Sequence, residues 1–394
     1  MSESGSQRIW AIYIDSEYID HPSLYDVGYT VTDVEIDAEI NKHGSMEFTV
    51  PMSNPRYEDA KTLGATVTAL FGDEEIFRGR IAETTRDFYN NIDVYCEGQL
   101  AFFCDSMVQP FAYKGSVKDF LQFIINTHNA CVDGKRTFHL GNVTVTDPDN
   151  NGILVRSSDS ALSCWEIITS RLIEPLGGYL LVRKENETYY IDYLAELTNR
   201  NNQVVQFGTN LLNLDEHIDT EDIVTVLYPF GAKIGDDGEN ENGYDKYQEE
   251  PEGSGITLWH GNRVTVREAN GGKMYVEDQA GVETWGKIWG TNVWDDVTLP
   301  TNLLQKAQQW LADRIKSTTE ITLSAIDLHL IDVEMDDIRI GDLVRVKSTA
   351  HHMDQYMPCY KMHIEPGAPD KNEITLGMTT ESLTKRIASM KEGT

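Results

Sequence analysis

One stretch of this 394-residue chain has the residue types of a calcium-binding loop. Residues 147–152, Asp-Pro-Asp-Asn-Asn-Gly, match the first half of an EF-hand loop, in which oxygen ligands alternate and a central glycine allows a sharp turn. The ninth position is Val155, and the twelfth is Ser158 instead of a glutamate that would bind the ion through both oxygens. The pattern favours a polar hairpin turn over Asp147–Ser158, with calcium binding as the alternative.

A second stretch matches the same loop less well. Asn240, Asn242, Gly243 and Glu249 stand at ligand or turn positions, but the first position is Gly238, which has no side-chain oxygen. The composition around these residues is typical of a solvated acidic loop, and we predict no metal site there.

A histidine pair, His351-His352, lies close in sequence to Asp354 and Cys359. Adjacent residues of a strand point to opposite faces, so these two imidazoles would not bind one ion together. We interpret the pair as part of a loop and predict neither a metal site nor a cofactor site in the chain.

Hydrolysis of a peptide bond would require an activated nucleophile or a metal-bound water. The sequence contains neither HExxH nor GxSxG, and none of its cysteines lies in a protease signature. The cysteines are odd in number and show no CxxC spacing, which predicts reduced, mostly buried thiols. They are Cys96, Cys104, Cys131, Cys164 and Cys359. We therefore predict no catalytic residues.

The charge balance excludes conventional nucleic-acid binding. Lys and Arg total 33 against 64 Asp and Glu, which gives a net charge of −31. Such a surface repels phosphates instead of releasing their counterions. Solubility alone would explain the excess, but an acidic wall would also suit a channel that passes DNA without holding it.

Length and pattern predict a multidomain, mainly β protein with an α+β part. A chain of this length exceeds the size at which a single core keeps growing. The longest apolar runs are shorter than the roughly 20 residues of a membrane helix, and the polar start, residues 1–8, predicts no secretory signal. Residues 1–113 contain many short alternating strands, which indicate a small β-barrel.

Residues 114–206 change character and predict a separate α+β domain. Ser116 and Asp119 have capping-box spacing before an amphipathic stretch that ends near His128. A second helix is predicted from about Ser160 to Ile173, followed by a hairpin over residues 179–194.

The C-terminal half predicts a second barrel interrupted by an insertion. Its strands fall in residues 207–234 and 301–380, and a short helix is predicted within residues 381–394. The insertion, 235–300, is loop-rich and would associate with the α+β domain. It holds four of the seven tryptophans, which we interpret as a small core, with an exposed binding surface as the alternative. They are Trp259, Trp285, Trp289 and Trp294.

Two stretches resemble a family of phage proteins. Residues 210–233 form an acidic loop followed by a strand that ends at Pro229-Phe230-Gly231, and residues 337–346 read DIRIGDLVRV. Both are similar to the prophage endopeptidase tail, or minor structural protein, family of phage and prophage tails, whose members are baseplate hub proteins. The resemblance extends over nearly the whole chain as an order of elements, including residues 77–81 and 98–106.

The resemblance implies two barrel-like domains per subunit and a homotrimeric ring of six like units. It implies contact with a sixfold distal tail ring or tail tube protein, with the tape measure protein, and with a tip fibre or spike. Contact with the bacterial surface would be indirect, and no stable nucleic-acid binding is expected. The location would be the virion tail tip or baseplate, with assembly in the host cytoplasm.

Two other functions remain open at this point. A tail-associated cell-wall hydrolase, a peptidase or a glycosidase, would agree with the family's label but lacks a catalytic signature here. A receptor- or carbohydrate-binding module would agree with the tryptophan-rich insertion. The sequence does not distinguish a contractile from a non-contractile tail, or a phage from a related particle.

Overall fold

The computed structural model describes residues 9–147, 152–219, 223–233, 248–249, 258–259, 263–295, 297–314, 318–326, 337–350 and 353–377. The chain forms two compact units. One is His217–Thr319, and the other consists of the described residues that precede and follow it in sequence.

Strands dominate the described residues, which confirms the predicted mainly β fold with an α+β part. In chain order they are β1 (Trp10–Ile14), β2 (Glu17–Asp20), β3 (Thr32–Glu39), β4 (Ser45–Val50), β5 (Thr66–Phe71), β6 (Glu74–Arg86), β7 (Ile92–Gly98), β8 (Met107–Val108), β9 (Phe111–Gly115), β10 (His139–Val143), β11 (Leu154–Ser158), β12 (Leu162–Ser163), β13 (Tyr179–Glu185), β14 (Thr188–Leu194), β15 (Arg200–Gln206), β16 (Leu211–Asp219), β17 (Val226–Phe230), β18 (Gln248–Glu249), β19 (Leu258–Trp259), β20 (Val276–Glu277), β21 (Trp289–Val293), β22 (Thr318–Ala325), β23 (Leu343–Ser348), β24 (Met353–Ile364) and β25 (Glu373–Leu376).

The helices are fewer. They are α1 (Val117–Cys131), α2 (Cys164–Ile167), α3 (Glu174–Leu176), α4 (Gln279–Trp285) and α5 (Pro300–Arg314), with a π-helical turn at Ile168–Ile173 and 3-10 turns at Pro22–Val27, Asp59–Lys61, Gln99–Asp105, Gly134–Arg136 and Pro369–Lys371. None of the described helices is long and apolar enough to cross a membrane.

Thirteen strands form one sheet, in the order β16-β22-β25-β24-β3-β4-β7-β6-β5-β1-β2, with β23 on β24 and β15 on β23. The predicted first barrel, 1–113, supplies β1 to β7, and the strands around the predicted second barrel supply the rest. They meet where β3 pairs with β24 in antiparallel register, from Ile36 opposite Ile364 to Glu39 opposite Lys361. No pairing among the described strands closes this sheet into a barrel, so the two predicted barrels share one continuous open sheet. Their superposition stays a prediction.

Strict alternation of apolar and polar residues explains the sheet's two faces. Met46, Phe48 and Val50 of β4 are buried in the core, whereas Glu47 and Thr49 between them point to the other side. The same alternation in β7 buries Ile92, Val94 and Cys96. The face opposite the core is therefore set by the intervening polar residues.

Two glycines allow β6 and β7 to approach closely where Gly79 stands opposite Gly98. A Cβ on Gly79 would lie 2.1 Å from the Glu97 carbonyl oxygen, and one on Gly98 would lie 2.0 Å from the His43 carbonyl oxygen. The Glu97 oxygen belongs to the backbone of β7 and the His43 oxygen to the turn between β3 and β4, so a side chain at either glycine would clash with backbone atoms. This close approach gives a physical reason for the glycines in residues 77–81 and 98–106.

Within residues 337–346, Gly341-Asp342 has a structural role, because the carboxylate of Asp342 is buried. Asp342 is 5% exposed and accepts hydrogen bonds from Asn199 Nδ2 at 2.5 Å, Asn201 Nδ2 at 3.2 Å and the Arg339 N–H at 3.0 Å. Gly341 before it has a φ of 89°, a conformation that favours glycine. The motif therefore ties the start of β23 to the segment that leads into β15.

The α+β region has its own core. As predicted, α1 begins after Ser116, whose Oγ accepts from the Asp119 N–H at 3.0 Å, and β13 and β14 form the hairpin. Strand β10 joins β14 in parallel. Leu100, Phe102 and Phe103, outside the predicted 114–206 limits, pack in this core. Strand β15, inside those limits, pairs with β23 in the large sheet.

The second predicted helix begins later than Ser160. Leu162 and Ser163 pair with β8 as β12, and the helix starts at Cys164, where the Ser163 Oγ accepts from the Glu166 N–H at 3.1 Å. Leu162 and Ser163 follow the helical periodicity but do not join the helix, because their backbone already pairs with β8.

The unit His217–Thr319 is a small sheet packed on a helix. Strand β17 pairs antiparallel with β20 and parallel with β21, and α5 packs against it. The sequence places β17 and α5 in the second barrel and residues 235–300 with the α+β domain; in the structure, β17, α5 and residues 263–295 form one compact unit instead. The reason is burial, since apolar residues of α5 share one aliphatic core with β17. Its members are Leu227, Val264, Val266, Val276, Val297, Leu303, Ala307 and Leu311.

Candidate functional site

The outward face of β3, β4, β7 and β6, here called the acidic face, carries several carboxylates. Strand register places Glu35 opposite Glu47, Glu47 opposite Tyr95, and Tyr95 opposite Glu83. Three glutamates thus lie in one row across four strands, with Asp93 in the next row.

A shallow hollow of about 460 Å³ lies on this face, and its lining contains five carboxylates and no cation. The lining residues are Asp33, Glu35, Glu47, Phe48, Thr49, Glu83, Thr85, Asp93, Val94 and Tyr95. Like charges directly opposite one another on a sheet destabilise it by a few tenths of a kcal/mol or more. Burial raises the pKa of the Tyr95 phenol, and the carboxylates of Glu97 and Glu47 raise it further.

Cations stand only at the borders of this row within the described residues. Arg80 Nη2 lies 3.1 Å from Glu97 Oε2, and Lys361 Nζ lies 3.6 Å from Asp37 Oδ1. His363, also on β24, has its Nδ1 at 3.2 Å from the same Asp37 oxygen. The acidic face is thus neutralised where β24 joins β3 but not at its centre.

His363 is the titratable group at this border. Partial burial opposes its protonation, but hydrogen bonds to Asp37 and Glu365 outweigh burial, so the pKa of His363 is raised above its ordinary value. Protonated His363 therefore stabilises the join between β3 and β24.

A second exposed sheet face, here called the aromatic face, lies in the His217–Thr319 unit. The Tyr228 and Trp289 rings are stacked with centroids 5.1 Å apart, and Tyr275 meets Trp289 edge-on at 5.3 Å. Trp289 is 48% exposed. Glu277 lies on β20, with Lys273 at 3.2 Å and Lys287 at 3.1 Å, and these two lysines lower the pKa of Glu277.

Two of the four tryptophans lie outside the small core predicted for them. Trp285 and Trp289 are exposed, because aliphatic side chains already fill the core of this unit. Trp294 does pack against that core and meets Trp310 edge-on at 6.5 Å. The side chain of Trp259 lies outside the described residues.

The predicted calcium loop has only its ends in the described residues. Asp147 is 7% exposed and lies 3.8 Å from Arg156, and its carbonyl oxygen accepts from the Gly152 N–H at 2.9 Å, as in a turn. Ser158 ends β11, and its Oγ donates to the Ser160 carbonyl oxygen at 2.8 Å. Residues 148–151 lie outside the described residues, so calcium binding there stays untested.

Metal ligands do not cluster elsewhere in the described chain. It contains no group of three or more His, Cys, Asp and Glu side chains that could hold an ion. Residues 238–243 and 351–352, together with the side chain of Glu249, are outside the described set.

One serine–histidine pair resembles part of a hydrolase site, and the sequence patterns did not reveal it. Ser106 Oγ lies 2.9 Å from His128 Nδ1, and His128 Nε2 lies 2.9 Å from the Arg136 carbonyl oxygen. Ser106 is 1% exposed and His128 is fully buried, and burial lowers the pKa of His128. A neutral imidazole with both nitrogens bonded inside a core positions α1, and it offers no nucleophile to a substrate.

The cysteines are free thiols. Cys96, Cys164 and Cys359 are buried, whereas Cys104 and Cys131 are exposed. Burial raises the pKa of Cys164 to about 11 and also raises that of Cys96, which keeps both thiols protonated and unreactive.

Comparison with known proteins agrees with this description. Residues 198–387 match the family described as prophage endopeptidase tail. Among solved structures, the prophage tail protein gp18 of Listeria monocytogenes is similar over 91% of this chain and 92% of its own, at 16% identity and a TM-score of 0.53. No protein of curated function matches the chain.

Two further tail proteins share the fold. The 43 kDa tail protein of prophage MuSo2 from Shewanella oneidensis has 11% identity and a TM-score of 0.54, covering 95% of this chain and 98% of its own. A tail protein of Neisseria meningitidis has the same identity and coverage and a TM-score of 0.55. Residues 198–387 of the chain are therefore similar to the prophage endopeptidase tail family, and the chain shares its fold with prophage tail proteins.

Proposed function

We propose that this tail protein is a baseplate hub in which three copies form a ring at the tail tip. The observation that carries the proposal is the continuous sheet, because two groups of strands are joined edge to edge at β3 and β24. If the two groups are alike, three copies present six like units, and a ring of six can contact a sixfold tail tube or distal tail ring. The opposite side can accept a threefold fibre or spike.

The acidic face suits the wall of the ring's passage. DNA binding requires cations that displace counterions from phosphates, and each such contact adds salt-sensitive affinity. The row of Glu35, Glu47 and Glu83 supplies the opposite charge. A wall of this kind repels the DNA that passes along it, so the ring can open or close the channel without holding the genome.

The proposed role is structural and not enzymatic, although the family's description contains the word endopeptidase. Ser106 and His128 are buried and committed to backbone contacts. We expect the purified full chain to clear no peptidoglycan in a zymogram, and clearing would favour the hydrolase alternative.

The partners follow from the proposed position in the particle. They are the distal tail ring or tail tube protein, the tape measure protein and a tip fibre or spike, with the bacterial surface reached only through the last of these. Assembly would take place in the host cytoplasm and the mature location would be the tail tip.

The mass of the full chain in solution tests the ring. Light scattering or native mass spectrometry across a concentration series should give a trimer, in equilibrium with monomer at low concentration. A particle reconstruction with one, two or six copies at the tail tip would refute the proposal.

The aromatic face favours a second candidate, a receptor- or carbohydrate-binding function. Tyr228 and Trp289 are exposed aromatic rings beside a charged Glu277–lysine group, and such rings stack on sugar rings or anchor protein partners. Sedimentation of the full chain with isolated host cell walls, compared with Trp289→Ala, tests this. Equal sedimentation of both proteins would remove the candidate.

A further inference from the structure

Strand β21 is an outer strand of the three-stranded sheet β20-β17-β21. It pairs in parallel with β17 along its whole length, and no described strand pairs with its other edge. Two hydrogen bonds mark the ends of this pairing. The Val226 N–H donates to the Ile288 carbonyl oxygen at 2.9 Å, and the Trp294 N–H donates to the Phe230 carbonyl oxygen at 2.8 Å. In a parallel pair every second residue of a strand bonds to its neighbour, so these two bonds fix which residues of β21 face β17.

The backbone groups on the outer edge of β21 are unpaired. Gly290 and Asn292 are in phase with the two end residues and bond to β17. Trp289, Thr291 and Val293 lie between them and direct their N–H and C=O groups to the outer edge. No described residue bonds to these outward groups. A row of unpaired donors and acceptors of this kind is a template for another strand.

An edge of the large sheet shows how this protein protects an outer strand. Strand β2 is four residues long, carries Glu17 and Asp20, and pairs irregularly with β1. The Ile19 carbonyl oxygen accepts from Asn54 Nδ2 at 2.8 Å, so the loop after β4 already occupies part of this edge. Short length, charge, irregular pairing and covering loops are the means by which proteins keep sheet edges from pairing with other chains.

Strand β21 has none of these forms of protection within the described part of the chain. Its residues include no charged side chain and no proline, and its register with β17 is regular. Three large apolar side chains are exposed on it or just before it: Trp285 at 40%, Ile288 at 37% and Trp289 at 48%. An uncharged edge beside exposed apolar residues promotes aggregation unless another chain covers it.

We propose that β21 receives an extended segment of a partner protein as a fourth strand of this sheet. The edge itself selects this occupant, because an extended backbone presents donors and acceptors at the spacing of Trp289, Thr291 and Val293, whereas a sugar or a lipid has no such repeat.

Side chains of the bound segment would alternate between the two faces of the sheet. Those on the aromatic face would lie beside Trp289, whose ring already stacks on Tyr228, so an apolar or aromatic residue suits that position. The partner is therefore defined as an extended segment with apolar residues at alternate positions. This inference concerns the smaller unit alone and does not depend on the number of copies in the hub.

Peptide binding to the full chain tests the backbone contact. The probe is a short fluorescein-labelled peptide that alternates threonine with valine or phenylalanine and has terminal glutamates for solubility. Its matched control is the same peptide with all central backbone nitrogens methylated, so that neither of its edges can donate. By fluorescence anisotropy we expect the methylated peptide to bind at least about tenfold more weakly. Equal binding of both peptides, or no binding of the probe up to about 1 mM, would overturn the proposal.

Hydrogen exchange of the same complex locates the bound peptide. The peptide should slow exchange of the Thr291 and Val293 N–H groups at least about tenfold, because these donors gain partners. Exchange at Gly290 and Asn292 should stay nearly unchanged, since both already donate to β17. Protection that does not alternate along β21 would place the peptide elsewhere and contradict the proposal.

The substitution Thr291→Pro removes one outward N–H group and leaves the bonds of β17 in place. It should weaken binding of the unmethylated peptide at least about tenfold. Thr291→Val is the matched control: it also loses the hydroxyl that donates to the Tyr228 carbonyl oxygen at 3.0 Å, but it keeps the N–H group and should bind as the wild type does. Unchanged binding by a folded Thr291→Pro variant would refute the contact. Circular dichroism checks folding, and if this variant does not fold, the methylated peptide decides the question on the wild type.

Discussion

The acidic face and the aromatic face are both sheet surfaces left uncovered by the chain's own cores, yet they carry opposite chemistry. On the acidic face, three glutamates line up across four strands. On the aromatic face, the Trp289 ring contacts the rings of Tyr228 and Tyr275. Each sheet buries one side by the same alternation, so the difference lies wholly in the outward residues.

The contrast teaches where function is encoded in this molecule. Carboxylates in a row stay hydrated and repel one another, so the row of glutamates itself destabilises the acidic face. Aromatic rings gain energy from mutual contact and gain more when a partner removes them from water. In the proposed hub, DNA passes along the first surface and a partner covers the second, and four variants can break or sharpen this contrast.

The largest expected effect is a gain of DNA binding when the acidic face is reversed. Glu35→Lys with Glu47→Lys and Glu83→Lys should give duplex DNA binding that is at least about tenfold tighter than that of the wild type and steeply salt-dependent. Fluorescence anisotropy against salt measures it. The control places lysines at three exposed glutamates of the α+β region, Glu166, Glu187 and Glu196. Equal gains in DNA affinity for both variants would show that the arrangement of the three glutamates in one row does not matter.

Removing the central ring of the aromatic face should cost stability. Trp289→Ala loses its contacts with Tyr228 and Tyr275, which should lower the free energy of unfolding of this unit by about 1–2 kcal/mol. Hydrogen exchange of β17 and β21 reports it locally. Trp285→Ala is the control, because Trp285 is exposed and stacks on no described ring. A similar loss in the control would mean that ring contact is not the cause.

The border of the acidic face should respond to pH. The raised pKa of His363 means that its contribution is fully present below about pH 6.5 and is lost as pH rises through the higher folded-state value. His363→Gln should therefore lower the free energy of unfolding by up to about 1 kcal/mol at pH 5.5, and by less at pH 8.5. Urea denaturation at both pH values tests the sign, and a larger loss at pH 8.5 would contradict it.

The smallest expected effect is a gain of stability at the centre of the same face. Glu47→Gln removes the like charge opposite Glu35 and should raise the free energy of unfolding by about 0.3–0.5 kcal/mol at low salt. The gain should shrink at high salt because screening already weakens the repulsion. Glu187→Gln, on an exposed turn, is the control and should change little.

Local pattern was sufficient for much of the large sheet and of α1. The alternation within residues 1–113 predicted many short strands, and the Ser116 cap predicted where α1 begins. Which strands pair with one another could not be predicted from the local sequence pattern. Strand β17 looks like any buried strand, and only its packing with α5 decides that it joins β20 and β21.

The candidate surfaces, too, could be predicted from the sequence only in part. The acidic face follows from β3, β4 and β7 once their register is known, but register depends on partners far away in sequence. The sequence favoured a core position for Trp289, with exposure as the alternative, because composition cannot tell which residues fill a small core. Ser106 and His128 meet through the packing of α1, and their separate positions in the sequence give no signal of it.

The join between β3 and β24 has a consequence for biosynthesis. Asp37 and His363 are neighbours across strands but 326 residues apart in the chain. At roughly 5–20 residues per second, the ribosome needs on the order of 15–65 s to deliver β24 after β3 has emerged. During that interval β3 is a free edge that could pair with another nascent chain. Its outward acidic residues make such pairing repulsive, as charged side chains do on protected sheet edges. The same charges that line the folded surface therefore also oppose aggregation of the nascent chain before β24 is synthesised.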